Sequence, residues 1–236
     1  MVVQFSQDLL ADPLGFLASS APNMTGAVGL DPGVVGTFTA RPTPNFKIRY
    51  RTGARLLGRG NAKADGRSFE LRWKRPADGG DLGEVEEFNA YWSGYAGGLA
   101  THCDLPGGGA AALMLTPRVD GCTLTFVLGP GGAARFGHYN LKAGNATLGG
   151  AAMAEAAEAN HPGQNPAVFS KEYYYSKAKR SVSPELGKRT MVNAFGVRQG
   201  GAWRFFVQYL ESKDDGYQIR GVEELVAGAR YIAAGV

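Results

Sequence analysis

A hydroxyl, a thiol and an imidazole fall close together in one stretch of the sequence: Thr116, then Gly121-Cys122, then His138. A free thiol has a pKa of about 8.5 and is mostly protonated at neutral pH. An imidazole beside it can take that proton and leave a nucleophile fit for acyl transfer. Such a pair attacks an amide carbonyl, expels an amine or ammonia and leaves a thioester for water. A third group normally orients the ring, and backbone N–H groups near the nucleophile hold the oxyanion. Thr116 is the candidate orienter, through its hydroxyl or a nearby carbonyl. Asp120-Gly121 suits a tight turn that exposes the amides of Gly121 and Cys122.

These groups meet only if the chain between them folds as a hairpin. "CTLTFVL" (122–128) and "AARFGHY" (133–139) each alternate, and "GPGG" breaks them. Cys122, Leu124, Phe126 and Leu128 share one face; Ala134, Phe136 and His138 share the matching face. A one-residue slip would turn every side chain to the wrong side. The expected register therefore pairs Phe126 with Ala134, Leu124 with Phe136 and Cys122 with His138, across a five-residue connection Leu128–Gly132. Directly opposed Cβ atoms lie about 4.5–5.5 Å apart, within reach of a thiolate–imidazolium contact.

Thr116, Gly121-Cys122 six residues on, and His138 one hairpin later resemble the Cys–His glutamine deamidases: the cytotoxic necrotizing factor catalytic domain, the Burkholderia lethal factor and the chemotaxis-receptor deamidase CheD. The resemblance covers about 30 residues closely, as judged by this motif, and departs at Asp120, where the relatives often carry a serine or small residue. It implies a β-sandwich wrapped by helices and hydrolysis of a glutamine side-chain amide in a protein substrate. Cys122 is then the nucleophile, His138 the general base and then acid, Thr116 the orienter, and Gly121 and Cys122 the oxyanion donors. No cofactor or metal is called for, and transglutamination is a side activity of such enzymes. Substrates of the kind the relatives use are a host small GTPase or a translation factor. The expected enzyme is a monomer of toxin or effector type, in the bacterial cytoplasm or delivered into a target-cell cytosol.

Other candidates carry a plainer reading. His102 and Cys103 are neighbours, so in an extended segment they point apart, and no second Cys/His pair has zinc spacing. His161 reads as an exposed cap. From Arg41 to Arg75 there are eleven basic and two acidic residues. With Arg49 and Arg51 on one strand face, and Lys177 and Lys179 in "KEYYYSKAKR", this suggests a docking surface for substrate. The alternative to an enzyme is a non-catalytic β-sandwich module that uses this basic face to bind an acidic protein or nucleic acid. No nucleic-acid motif supports the latter partner.

The 236 residues carry 44% hydrophobic and 19% charged residues and a net charge of +4, which is a globular composition. "FKIRYR" and "SFELRWKR" alternate as half-buried strands. "ADGR" (64–67) and "GGD" (79–81) read as turns, and "RQGGAW" as a hairpin turn. "GGAAMAEAAEAN" reads as a surface helix stopped at Asn160, "KEYYYS" as an edge strand running into a loop, and a last helix is expected near Val222–Ile232. The fold class is α+β: mainly an antiparallel β-sandwich surrounded by peripheral helices, with residues 1–34 an N-terminal arm and 35–236 one catalytic domain. The first basic residue is Arg41, and Asp8, Asp12 and Pro13 interrupt the first apolar stretch, so no Sec signal is expected. No apolar run approaches the ~18 residues of a membrane span.

Overall fold

A computed structural model of the chain describes residues 4–26, 30–42, 47–51, 62–74, 86–181, 190–213 and 216–232. Strands dominate. In chain order they are β1 (Ser20–Gly26), β2 (Val35–Pro42), β3 (Lys47–Arg51), β4 (Ala62–Trp73), β5 (Glu86–Trp92), β6 (Ala100–Leu105), β7 (Leu113–Leu115), β8 (Thr123–Leu128), β9 (Ala134–Tyr139), β10 (Lys142–Ala143), β11 (Ala146–Thr147), β12 (Ala167–Phe169), β13 (Thr190–Gln199), β14 (Ala202–Lys213), β15 (Gly216–Leu225) and β16 (Arg230–Tyr231). The helices are α1 (Phe5–Ala11), α2 (Pro13–Ser19), α3 (Gly150–Ala159) and α4 (Lys171–Ser181). Among the described residues no helix is long and apolar enough to cross a membrane.

The larger sheet runs β1-β4-β2-β5-β7-β13-β14-β15-β3, and β3 pairs with β4 as well as β15, so the sheet nearly closes on itself. Period two splits its residues between two cores. Phe206 and Leu210 of β14 join Phe195, Val197, Leu113, Leu115, Phe38 and Leu71 on the inner side. Phe205, Val207 and Tyr209 join Met114, Val192 and Ala194 on the outer side. Helices α1 and α2 plug the inner core with Phe5, Leu9, Phe16 and Leu17. Asp12 caps α2 by accepting from Gly15 N at 3.1 Å, ahead of Pro13 at the first helical position. At the other end the buried Gln208 donates to the carbonyls of Leu17 (2.5 Å) and Ser20 (2.7 Å).

A second sheet, β16-β12-β8-β9-β6, covers the outer wall. Its inward face carries Leu124, Phe126, Phe136 and Cys103. The Phe205 ring lies 4.4 Å from the Phe126 centroid and 5.4 Å from that of Phe136. On the far side of this sheet α3 buries Met153, Ala154 and Ala157, with Met153 and Ala157 against Tyr139.

The mainly β, antiparallel-rich character with few helices is as the alternation predicts. Several local expectations are not met. Residues 64–67 are no turn: they run through β4, which β3, β1 and β2 all hydrogen-bond. Pairing on several edges overrides the Asp65-Gly66 turn preference. The expected last helix is instead β15 and β16. A bulge in β15 at Arg220, opposite Tyr209/Leu210, resets the register, so Tyr217, Ile219 and Val222 all reach the inner core against β14. The "KEYYYS" segment opens α4: Ser170 Oγ accepts from Tyr173 N at 3.3 Å as its cap. The expected arm is no appendage, because α1 and α2 fill the inner core and β1 pairs with β4. The 79–81 turn lies outside the described residues.

Phe205→Ala should open a cavity between the sheets and cost about 3–5 kcal/mol, whereas Leu128→Ala, at an exposed site, should cost less than about 1 kcal/mol. Denaturant midpoints of the two variants check this, and equal losses would refute the packing described.

Candidate active site

The hairpin forms, with its faces as expected and its register two residues away. Leu124 faces His138, Phe126 faces Phe136 and Leu128 faces Ala134. The connection is Gly129–Ala133, closed by Gly129 N donating to the Ala133 carbonyl at 2.8 Å. Gly131 and Gly132 both take positive φ (64° and 76°), which centres the turn on Gly131 rather than Pro130. Parity is preserved, so Cys122 and His138 stay on the same side of the sheet. They are not directly opposed: Cys122 lies just before β8, and Leu124 takes the position facing the histidine.

His138 is almost fully buried in the central part of the second sheet, between Leu124 of β8 and Thr101 of β6. Thr116 follows β7 of the larger sheet, so its side chain meets His138 across the space between the sheets. Thr116 Oγ1 lies 3.0 Å from His138 Nδ1. Nε2 of the same ring is buried with no hydrogen-bond partner among the described residues. The Tyr95 ring lies 5.5 Å away, itself half exposed, with its hydroxyl accepting from Asn140 Nδ2 at 2.6 Å. Burial pushes the His138 imidazole down to about 4, so it is neutral at neutral pH.

Cys122 is buried at the end of the turn Asp120–Gly121, where Gly121 takes a φ of 95°. Burial pushes its thiol up to about 12, with Asp120 acting in the same sense and Lys171 against it. Helix α4 holds the turn. Gly121 N donates to Tyr174 Oη at 2.6 Å, Tyr174 Oη donates to the Cys122 carbonyl at 3.4 Å, and Tyr175 Oη donates to Asp120 Oδ1 at 2.6 Å. The Gly121 amide expected to serve an oxyanion is therefore engaged by a tyrosine. The thiolate–imidazolium contact expected from the sequence is absent as well, since thiol and imidazole are both neutral and Nε2 carries no bond to sulfur.

Cys103 is buried against the inter-sheet core and paired with Phe136, and both thiols are free. The side chains of Arg49, Arg51, Lys177 and Lys179 lie outside the described residues. A cavity of about 720 Å³ opens at the opposite end of the hairpin, at Leu128, Ala134 and Arg135, and takes in none of Thr116, Cys122 or His138.

Reading residue by residue misses a second polar cluster on the far face of the second sheet. His102 Nε2 lies 2.8 Å from Tyr139 Oη, which is 3.2 Å from His161 Nε2; Thr125 Oγ1 is 3.1 Å from that same nitrogen. His161 is buried here rather than an exposed cap, because the loop after α3 folds back over Thr125. The shared face of Thr125, Gly137 and Tyr139 was visible in the alternation, but the approach of His161 from outside the hairpin was not. A Cβ on Gly137 would come 2.6 Å from Thr125 Oγ1 and from Tyr139 Cε2, so the cluster needs glycine there.

Compared with known proteins, the chain matches no protein-family model and no curated protein.

Burial lowers all three histidines. The unfolded chain takes up these protons first, so stability is present above the ordinary value of 6.5 and is lost as pH falls below it. For His138 the loss continues to about 4 and totals roughly 3 kcal/mol. Denaturant unfolding between about pH 7 and pH 4.5 should therefore be less acid-sensitive in His138→Gln than in wild type. Equal acid sensitivity of the two would contradict a buried, neutral His138.

Proposed function

We propose that the chain is a Cys–His amide hydrolase, a protein-glutamine deamidase of toxin or effector type. The observation that carries this reading is the 3.0 Å contact of Thr116 Oγ1 with His138 Nδ1. It joins two of the three residues that the resemblance pairs, from different sheets, and leaves Nε2 unpartnered on the sheet side shared with Cys122. When Nδ1–H donates to Thr116, Nε2 carries the lone pair a general base needs.

The resting pair is neutral, so proton transfer accompanies attack. Cys122 Sγ bonds to the glutamine carbonyl carbon as its proton passes to His138 Nε2, and the carbonyl π pair becomes an oxyanion. The oxyanion then collapses, the C–N bond breaks, and His138 returns the proton to the departing ammonia. Water, deprotonated by the same ring, cleaves the thioester and leaves glutamate. A primary amine in place of water gives transglutamination. The class of protein substrate, such as a small GTPase or a translation factor, follows from the resemblance.

Incubation with a eukaryotic cell lysate, followed by mass spectrometry for glutamine-to-glutamate conversion, identifies the substrate. Cys122→Ser and His138→Ala should each lower turnover by about a hundredfold or more. Thr116→Val removes one orienting hydrogen bond and should cost about tenfold or less. Conversion that persists undiminished in Cys122→Ser would exclude this mechanism.

A further inference from the structure

On the reading of Cys122 as nucleophile, the thiol and its base are both buried, and one of the two expected amide donors, Gly121 N–H, is taken up by Tyr174 Oη at 2.6 Å. Negative charge nonetheless has to form at this turn, on the substrate oxygen as the sulfur attacks. Asp120 opposes it, although Tyr175 Oη draws on that carboxylate at 2.6 Å. Among the described residues, the cation that acts on Cys122 is Lys171. Lys171, the first residue of α4, places Nζ 3.5 Å from where a Cβ would stand on Gly121. Among the described residues it makes no ion pair or hydrogen bond, and its ammonium rests only against the Tyr175 ring, 5.4 Å from the centroid. An unpaired ammonium beside a buried nucleophile is an electrostatic partner awaiting an anion.

We propose that Lys171 is the oxyanion-stabilising residue of this site, supplying the positive charge that the Gly121 amide, bonded to Tyr174, does not. In the addition step the C–S bond forms, the carbonyl π pair moves to oxygen, and the ammonium holds that charge. On collapse the pair returns and the C–N bond breaks, so Lys171 neither gains nor loses a proton. Helix α4 thereby has two tasks at the turn. Tyr174 and Tyr175 fix the backbone that presents Cys122, and Lys171 supplies the charge.

The test needs no substrate. In a Cys103→Ala background, Cys122 is alkylated with iodoacetate, an anion, and separately with iodoacetamide, its neutral isostere. The ratio of the two rates reports local positive charge independently of thiol reactivity and access. Lys171→Met should lower that ratio about tenfold, and Lys171→Arg should largely keep it. The wild-type Nζ makes no hydrogen bond, so both variants should melt as wild type does; should Lys171→Met unfold, Lys171→Gln takes its place in the same comparison. An unchanged ratio in the charge-free variant overturns the role of Lys171 and leaves Cys122 as nucleophile. A Cys122 that reacts with neither reagent in any variant overturns the hydrolase reading itself, and the inference with it.

Discussion

The packing of the second sheet onto the outer wall of the larger one is the contact on which the candidate site rests. Phe205 sits between Phe126 and Phe136, and around it Val207, Met114 and Ala194 close against Leu124 and Ala167. Thr116 belongs to the wall and His138 to the sheet that covers it, so their hydrogen bond exists only while the two are packed. The Cys122 turn is likewise held from outside its own strand, by the helix α4. Apolar burial of non-directional character thus sets the distance at which a directional contact can form.

The inner core makes that wall stiff. A nearly closed sheet has few free edges, and α1 and α2 fill its inside. The buried amide of Gln208 satisfies the end of α2, and Asn193 donates to the Pro22 carbonyl at 2.7 Å, tying β1 into the same core. Both amides are paired to backbone, which is the condition under which burying them is tolerable. β14 therefore presents its outer residues, Phe205 to Tyr209, from a fixed support.

How much of this was legible beforehand depended on whether the signal was local. Alternation in 122–128 and 133–139 assigned every hairpin residue to its face, because parity survives a shift of two residues. It could not choose between turns centred on Pro130 and Gly131, since that choice lies in the backbone conformation of two glycines. The contact of Thr116 with His138 was anticipated from residue type and spacing. The occupation of the Gly121 amide was not, because Tyr174 arrives from a segment whose three consecutive tyrosines read as strand. Ser170 as a helix cap was the local clue to α4. β15 failed for the opposite reason: its apolar positions, read without its own bulge at Arg220, fit no single strand face.

Burial decides the electrostatics of the site. A solvated thiol and imidazole differ by only about two units in acidity, a gap that the attraction within a thiolate–imidazolium pair can close. Here desolvation moves the two groups apart, the thiol to about 12 and the imidazole to about 4, so an ion pair between them is strongly disfavoured. On the proposed hydrolase reading, charge separation is then coupled to the reaction that uses it, and a fixed positive group has most effect where solvent is excluded. On the hydrolase reading, the same exclusion slows, without abolishing, the reaction of the resting thiol with water-borne oxidants and stray electrophiles, because most of it stays protonated until a carbonyl carbon is in place to receive it.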